Sequence, residues 1–473
     1  CTFCIEGEGY YNKVAMLDTE RSIAEVDYIV ARVRHTQTLR VVNSNFGMFK
    51  KDVEFCQYLG ELRQKTGYPD YISCSSGKNQ KERILKCAEL VSGAMRVSAS
   101  VQSLVPEVLK NVKRDNISLE TMMTFSQEAI EANGHVISEI ILGLPGDSLE
   151  GQETSMAGLV GAGVSSVIQH QLALLPGTEV ASADSRKTFG LKNAFRPIQR
   201  CVGQYSFVGE TFTAADVEEI SISTHKLTFE DYLEARRLYL TVGLFYNDGV
   251  FQEVHSLLRL LGLPTWGWLK RIHKKVLESL SERVPESLPQ LRTIYEGFIR
   301  ETKDELWETE EDLNRDVSLS VHKYVKGEVG DNLIYKYRVL GLLTYFDELH
   351  GLAFSTLREY LAGECVNVEG AIRDIEKFSK LQRGRLLDIQ FRAEEVFDYD
   401  VPKLSKPSST KDGERLENFR YEKPTRIVFA HTTEQRALIQ SKLDFHGGGL
   451  GGLIVVMSRF PLRRFYREAS LTE

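Results

Sequence analysis

Val136-Ile137-Ser138-Glu139-Ile140-Ile141-Leu142-Gly143-Leu144-Pro145-Gly146-Asp147 reads as an apolar strand carrying one carboxylate and closing in a tight turn. The β-branched run favours extended backbone, and the Gly-Leu-Pro-Gly sequence stops it. Helical spacing resumes over 150–161. The unit is therefore strand, turn, helix, and the chain around it repeats that unit.

Working outward, the spacing predicts strands over 39–43, 71–74, 95–101, 136–143 and 166–174. Helices are predicted over 19–34, 50–65, 80–92, 106–114, 119–132 and 150–161. Ser118 with Glu120 marks one helix start, and Gly134 marks its end. Strands separated by helical crossovers pair in parallel. Such strands are usually continuously apolar, yet several here alternate. Ser98, Ser100 and Gln102 oppose Val97, Ala99 and Val101, and Gln169 and Gln171 share a face. Repeated polar side chains on one face predict an α/β fold of the partial (β/α) barrel type, with a ligand held inside.

The rest of the chain differs. Segments 229–261, 266–283, 288–314, 334–349 and 368–397 have apolar residues at helical spacing. A polar Pro/Ser-rich stretch follows, then a strand at 426–430, a helix near 434–443 and strands around 453–458. The expected division is a barrel over 1–225, a helical domain over 226–398 that caps it, a linker over 399–413 and a small α/β domain over 414–473.

With 473 residues the chain is long enough for several cores. It is 42% hydrophobic and 26% charged, with a formal net charge of −7. The acidic balance and the absence of a long basic run argue against a nucleic-acid partner. No apolar stretch reaches the roughly 20 residues that span a bilayer. Seven cysteines, sparse and odd in number, suit reduced thiols in the cytoplasm rather than a disulfide framework. Cys56, Cys74, Cys87 and Cys365 sit in apolar or helical contexts and read as core residues.

Cys1-Thr2-Phe3-Cys4 puts two thiols on one turn. A zinc site would want a second such pair, and a thioredoxin-type motif would want a preceding strand. Cys1 could also be an N-terminal nucleophile whose own amine acts as base, or a lipidated terminus. A chain opening on its own chemistry reads as a fragment or a processed product.

Taken with the repeats, Cys1-Thr2-Phe3-Cys4, Ser103-Leu104-Val105-Pro106-Glu107 and Ile141-Leu142-Gly143-Leu144-Pro145-Gly146-Asp147 resemble the radical S-adenosylmethionine superfamily over roughly 1–225. Asn43-Ser44-Asn45-Phe46-Gly47-Met48-Phe49 and Ser100-Val101-Gln102-Ser103-Leu104 look most like members with a cobalamin-binding domain ahead of the radical domain. The family motif is CxxxCxxC. Cys1 and Cys4 match its second and third cysteines, so the first would lie four residues before Cys1. The resemblance implies a [4Fe–4S] cluster on Cys1 and Cys4, S-adenosylmethionine cleaved to a 5′-deoxyadenosyl radical, and cobalamin as a methyl carrier in a methyltransferase. It also implies a small-molecule substrate, a flavodoxin- or ferredoxin-type one-electron reductant, and neither nucleic acid nor membrane as partner.

For the site, the resemblance places Phe3 and the strand ending at Leu174 beside adenine, and Glu139 at the ribose. Ser100, Gln102 and Gln169 would line the pocket. Arg114 would meet the methionine carboxylate, with a solvated helix-end charge as the competing reading. Asn43 and Asn45 would meet the amino group, and Gly143 would allow close backbone approach. His170, between the two glutamines, would point away from them. No residue is assigned as catalytic. Cys201 and Tyr205 read as core or surface. Gly447-Gly448-Gly449-Leu450-Gly451-Gly452 reads as a turn, because its strand–helix order is reversed for a dinucleotide fingerprint. The charges over 301–316 read as a solvated helix face. The remaining alternatives are an N-terminal-cysteine hydrolase and a non-catalytic barrel-type binding module.

Overall fold

In the computed structural model the described residues are all but 8–9, 11–14, 35, 78–79, 99, 117, 132–134, 282–287, 365, 367, 407–413 and 472–473. Gly134, Ala99, Cys365, the end of the predicted 266–283 helix and residues 407–413 of the expected linker therefore lie outside them. The chain divides into two units, Cys1–Ser185 and Arg186–Glu473.

The first unit alternates helix and strand. Its elements are α1 (Thr19–Val30), β1 (Thr38–Arg40), α2 (Lys50–Thr66), β2 (Tyr71–Ser73), α3 (Lys81–Leu90), β3 (Arg96–Ser98), α4 (Pro106–Asn111), α5 (Leu119–Glu131), β4 (His135–Leu142), α6 (Leu149–Gly161) and β5 (Ser166–Gln171). α7 (Ala183–Phe189) spans the division. β1 pairs with β2, and β3–β4–β5 form a second ladder, all parallel. A parallel bridge between Ile72 and Met95, with Ile72 N–H donating to Ala94 O at 2.8 Å, joins the ladders in chain order. Ser76 extends the join, its Oγ accepting from Ser98 N–H at 2.7 Å and donating to Ser98 O at 3.0 Å.

Helices cover one face of β4 and β5. Ile140, Leu142 and Val167 are wholly buried there beside Ser138, and each of these three aliphatic side chains contributes roughly 1.5–3 kcal/mol. On the same face, towards β1–β3, Cys56, Ile72, Cys87, Ala88, Met95 and Val97 share one core with α2 and α3. Cys56, Cys74 and Cys87 are buried in this core, as small apolar residues would be.

The second unit begins with an antiparallel hairpin, β6 (Lys192–Phe207) and β7 (Glu210–Ser223). Its helices are α8 (Phe229–Phe245), α9 (Gln252–Leu260), α10 (Thr265–Ser279), α11 (Pro289–Asp304), α12 (Glu310–Val325), α13 (Leu333–Val339), α14 (Phe346–Gly363) and α15 (Glu369–Arg383). Thr228 and Asp231 form a capping box at the start of α8. A sheet of order β10-β9-β8 follows, from β8 (Arg392–Tyr399), β9 (Arg420–Ala430) and β10 (Glu468–Leu471), with α16 (Val401–Leu404), α17 (Thr433–His446) and α18 (Leu450–Arg459) between strands. Arg383 and Glu253 form a buried ion pair at 2.8 Å between α15 and α9.

Several expectations change. The two compact units divide at 185/186, with the β6–β7 hairpin in the second. The helix predicted to 397 stops at Arg383, and 392–399 is strand β8, paired with β9. The strands expected around 453–458 are helix α18: one stripe, Ile454, Val456 and Met457, is buried, and packing overrides β propensity. Gly447, Gly448 and Gly449 do form a turn, but it leads into α18. The 301–316 charges are not uniformly solvated. Glu301 pairs with Lys336 at 2.6 Å, and Glu305 with the buried Arg196 at 3.2 Å.

Candidate active site

The C-terminal ends of β3, β4 and β5 gather the chemistry of the first unit. The Cys1–Cys4 turn is held there by backbone. Thr2 N–H donates to Val112 O at 3.1 Å, just beyond α4, and Val180 N–H, beyond β5, donates to Thr2 O at 3.0 Å. Cys4 N–H donates to Cys1 O at 3.4 Å, closing the turn. Both thiols are free. Phe3 is half-buried between them. Two residues on, Glu6 accepts from Ser44 Oγ at 2.7 Å, which ties the turn to the loop after β1. In that loop Asn45 N–H donates to Asn43 Oδ1 at 2.8 Å. Asn43 thus shapes the loop, and Asn45 is exposed.

Arg114 is central. It is only 6% exposed. Its Nη1 donates to Cys1 Sγ at 3.6 Å, Nε donates to Val101 O at 3.2 Å and Asn116 Oδ1 at 2.9 Å, and Nη2 donates to Ser100 O. The guanidinium is thus no solvated helix-end charge: it joins the thiol turn to the end of the β3 segment. Burial pulls its pKa down to about 10, against the pull of Glu139 and Cys4, both near enough to favour its charge.

Glu139 projects from β4 on the face away from the helices. Ser100 Oγ donates to its Oε2 at 2.7 Å, and His170 Nε2 lies 3.5 Å from its Oε1. Gln102 contributes backbone: its N–H donates to Glu139 O and its carbonyl accepts from Ile141 N–H, both at 2.8 Å. Gly143 follows with φ of +86°, a conformation glycine adopts without strain. Leu174 is buried just past β5.

Gln169 is a correction. It is buried on the helix-covered face, where its Nε2 donates to Gln152 Oε1 of α6 at 3.0 Å. In the β4–β5 register Ile141 lies opposite His170 and Ile140 opposite Gln169. His170, read as pointing away, therefore shares the face of Glu139, and Gln169 does not. The parity of β5 was inverted because a buried glutamine looks like a lumen residue until its partner on α6 is known. Cys201 and Tyr205 are exposed on β6, in the other unit.

Two thiols, a buried cation and a carboxylate meeting at the strand ends make a polar site whose soft sulfur donors suit iron–sulfur ligation. Among the described residues no group of three or more His, Cys, Asp or Glu is placed to hold a metal ion. Cys1 and Cys4 contribute two sulfur donors to this site.

No family model matches the chain. A 254-residue stretch, 52% of the chain, is 28% identical to 36% of the 2-(S-pantetheinyl)-carbapenam-3-carboxylate methyltransferase of Streptantibioticus cattleyicolor. Over 197 residues, 41% of the chain, it is 26% identical to 28% of the cobalamin-dependent radical SAM methyltransferase TokK of Streptomyces tokunonensis. These two relatives support the resemblance to the radical S-adenosylmethionine superfamily. The chain spans about a third of the length of these curated relatives, 36% and 28%. A solved structure of the radical S-adenosylmethionine methyltransferase TsrM from Kitasatospora setae, with cobalamin and a [4Fe–4S] cluster bound, matches 38% of this chain and 33% of that chain, at 14% identity and a TM-score of 0.32.

Proposed function

We propose that this chain carries the radical-generating part of a cobalamin-dependent radical S-adenosylmethionine methyltransferase acting on a small molecule. The observation that carries the reading is the link from Cys1 Sγ through Arg114 and Ser100 to the Glu139 carboxylate. Relatedness to two methyltransferases, one named as cobalamin-dependent, supports the methyl-transfer half. The parallel strands in chain order, with polar groups at their C-terminal ends, support a partial (β/α) barrel.

Cys1 and Cys4, matching the second and third cysteines of the family motif, would supply two thiolates to a [4Fe–4S] cluster. When bound, the cluster supplies the electron that cleaves S-adenosylmethionine to methionine and a 5′-deoxyadenosyl radical, the electron itself coming from a flavodoxin- or ferredoxin-type donor. The chain's own residues bind and orient. Glu139, steadied by Ser100 and His170, accepts hydrogen bonds from the ribose hydroxyls. Arg114 places positive charge beside the thiolates and the methionine carboxylate. Gly143 lets backbone approach the nucleoside. The hydrolase alternative is not favoured by these relatives.

The test is anaerobic reconstitution, with iron, sulfide and cobalamin, of a longer protein that includes the position four before Cys1. Reduction in the presence of S-adenosylmethionine should release 5′-deoxyadenosine. A protein that holds iron and sulfide but leaves S-adenosylmethionine intact would overturn the reading.

A further inference from the structure

Behind the Gly143 turn runs a buried polar chain. Asp147 is 1% exposed. Its Oδ2 accepts from Gly143 N–H at 3.1 Å and from Gln152 Nε2 at 2.6 Å, and its Oδ1 from Ser148 N–H at 3.0 Å. The same Gln152 nitrogen donates to Ile141 O at 3.0 Å, so one side chain ties the end of β4 and the turn to α6. Gln152 Oε1 accepts from Gln169 on β5. An ionised carboxylate only accepts, so Asp147 decides which way each amide in the chain faces. On the outer side, Asn111 Nδ2 donates to Pro145 O at 3.0 Å, and a Cβ on Gly146 would sit 2.6 Å from that nitrogen.

Gly143 and Gly146 both have positive φ, +86° and +83°, and glycine has the least preference of its own. The turn's shape must be imposed from outside, and Asp147 imposes it from within. A buried carboxylate is a costly device for this. Burial pushes its pKa up to about 7, despite opposing hydrogen bonds from Gln152, Gly143 and Ser148. A group that weakens the fold where it is charged, yet fixes one turn through three donors, fits a demand for geometry more than for stability.

We propose that Asp147 is a positioning residue for S-adenosylmethionine, holding the Gly143 turn in the shape against which the nucleoside lies. The inference rests on the site reading above.

The test uses the full-length, cluster-loaded protein with S-adenosylmethionine itself as probe, comparing wild type, Asp147→Asn and Gln152→Met. Calorimetric titration should show affinity falling about tenfold in Asp147→Asn and by a smaller factor in Gln152→Met. Amide exchange over 143–146 should quicken in both. The KM for S-adenosylmethionine should rise while the maximal rate of 5′-deoxyadenosine release is kept, a split that a purely structural role would not produce. If Asp147→Asn fails to fold, Gln152→Met, which keeps the carboxylate, decides alone. Wild-type affinity in the folded variants would overturn the positioning role while leaving the site reading intact. A wild-type protein that does not bind S-adenosylmethionine would overturn both.

Discussion

Arg114 shows how much one side chain organises. A guanidinium bonded to a thiol, two backbone carbonyls and Asn116 cannot be replaced by an apolar isostere without losing those bonds, although Val101 O keeps Asn116 Nδ2 as a donor. Arg114→Met should therefore cost about 1.5–3 kcal/mol, the range for hydrogen bonds to a charged group, read as a lower urea midpoint at unchanged slope. A variant as stable as wild type would remove Arg114 from its central place. Asp147 behaves in the opposite sense. Its folded pKa, about 7, lies above the ordinary 3.8, so between those values the folded chain binds the extra proton. Its contribution to stability is therefore greatest at acid pH and is lost as pH rises towards 7. Measured from pH 4 to 8, the stability of wild type relative to Asp147→Asn should fall up to about pH 7 and then level off. A difference independent of pH would mean that the carboxylate is not strained by burial.

Among elements, the repeating strands and helices of the first unit were legible because periodicity and turn chemistry agree there. The 50–65 and 106–114 predictions became α2 (Lys50–Thr66) and α4 (Pro106–Asn111) with small changes at their ends. The β6–β7 hairpin was not legible. Its turn is Val208-Gly209, both at positive φ, where Asn-Gly or Asp-Gly would have signalled it. Helix α18 was misread because a short β-branched run is ambiguous until the buried stripe is seen. In the site, Cys1, Cys4, Ser100, Arg114 and Glu139 were marked by the family resemblance, and hydrogen bonds and charge link them in the structure. Which face Gln169 and His170 occupy depends on register, which no local pattern carries. Helix contact explains one further constraint. A Cβ on Gly60 of α2 would lie 2.2 Å from the Leu90 carbonyl oxygen of α3, a backbone atom with no rotamer to yield. Gly60→Ala should thus destabilise by about 1–3 kcal/mol, seen as a drop in thermal midpoint, whereas a neutral result would show that the two helices are free to part.

At the scale of the whole molecule, the two units have separate cores, the parallel α/β unit and the helical unit with its hairpin and small sheet. Among the described residues no helix is long and apolar enough to cross a membrane. Only the first unit carries the paired thiols, the Arg114 cation and the Glu139 carboxylate, so the account stands on that unit. The most direct measurement is the iron content and low-temperature EPR spectrum of the longer protein, reconstituted anaerobically and reduced, for wild type, Cys1→Ala, Cys4→Ala and Cys201→Ala. The account predicts a [4Fe–4S] signal in wild type and Cys201→Ala, and its loss in Cys1→Ala and Cys4→Ala. A full signal in a chain lacking both Cys1 and Cys4 would contradict it.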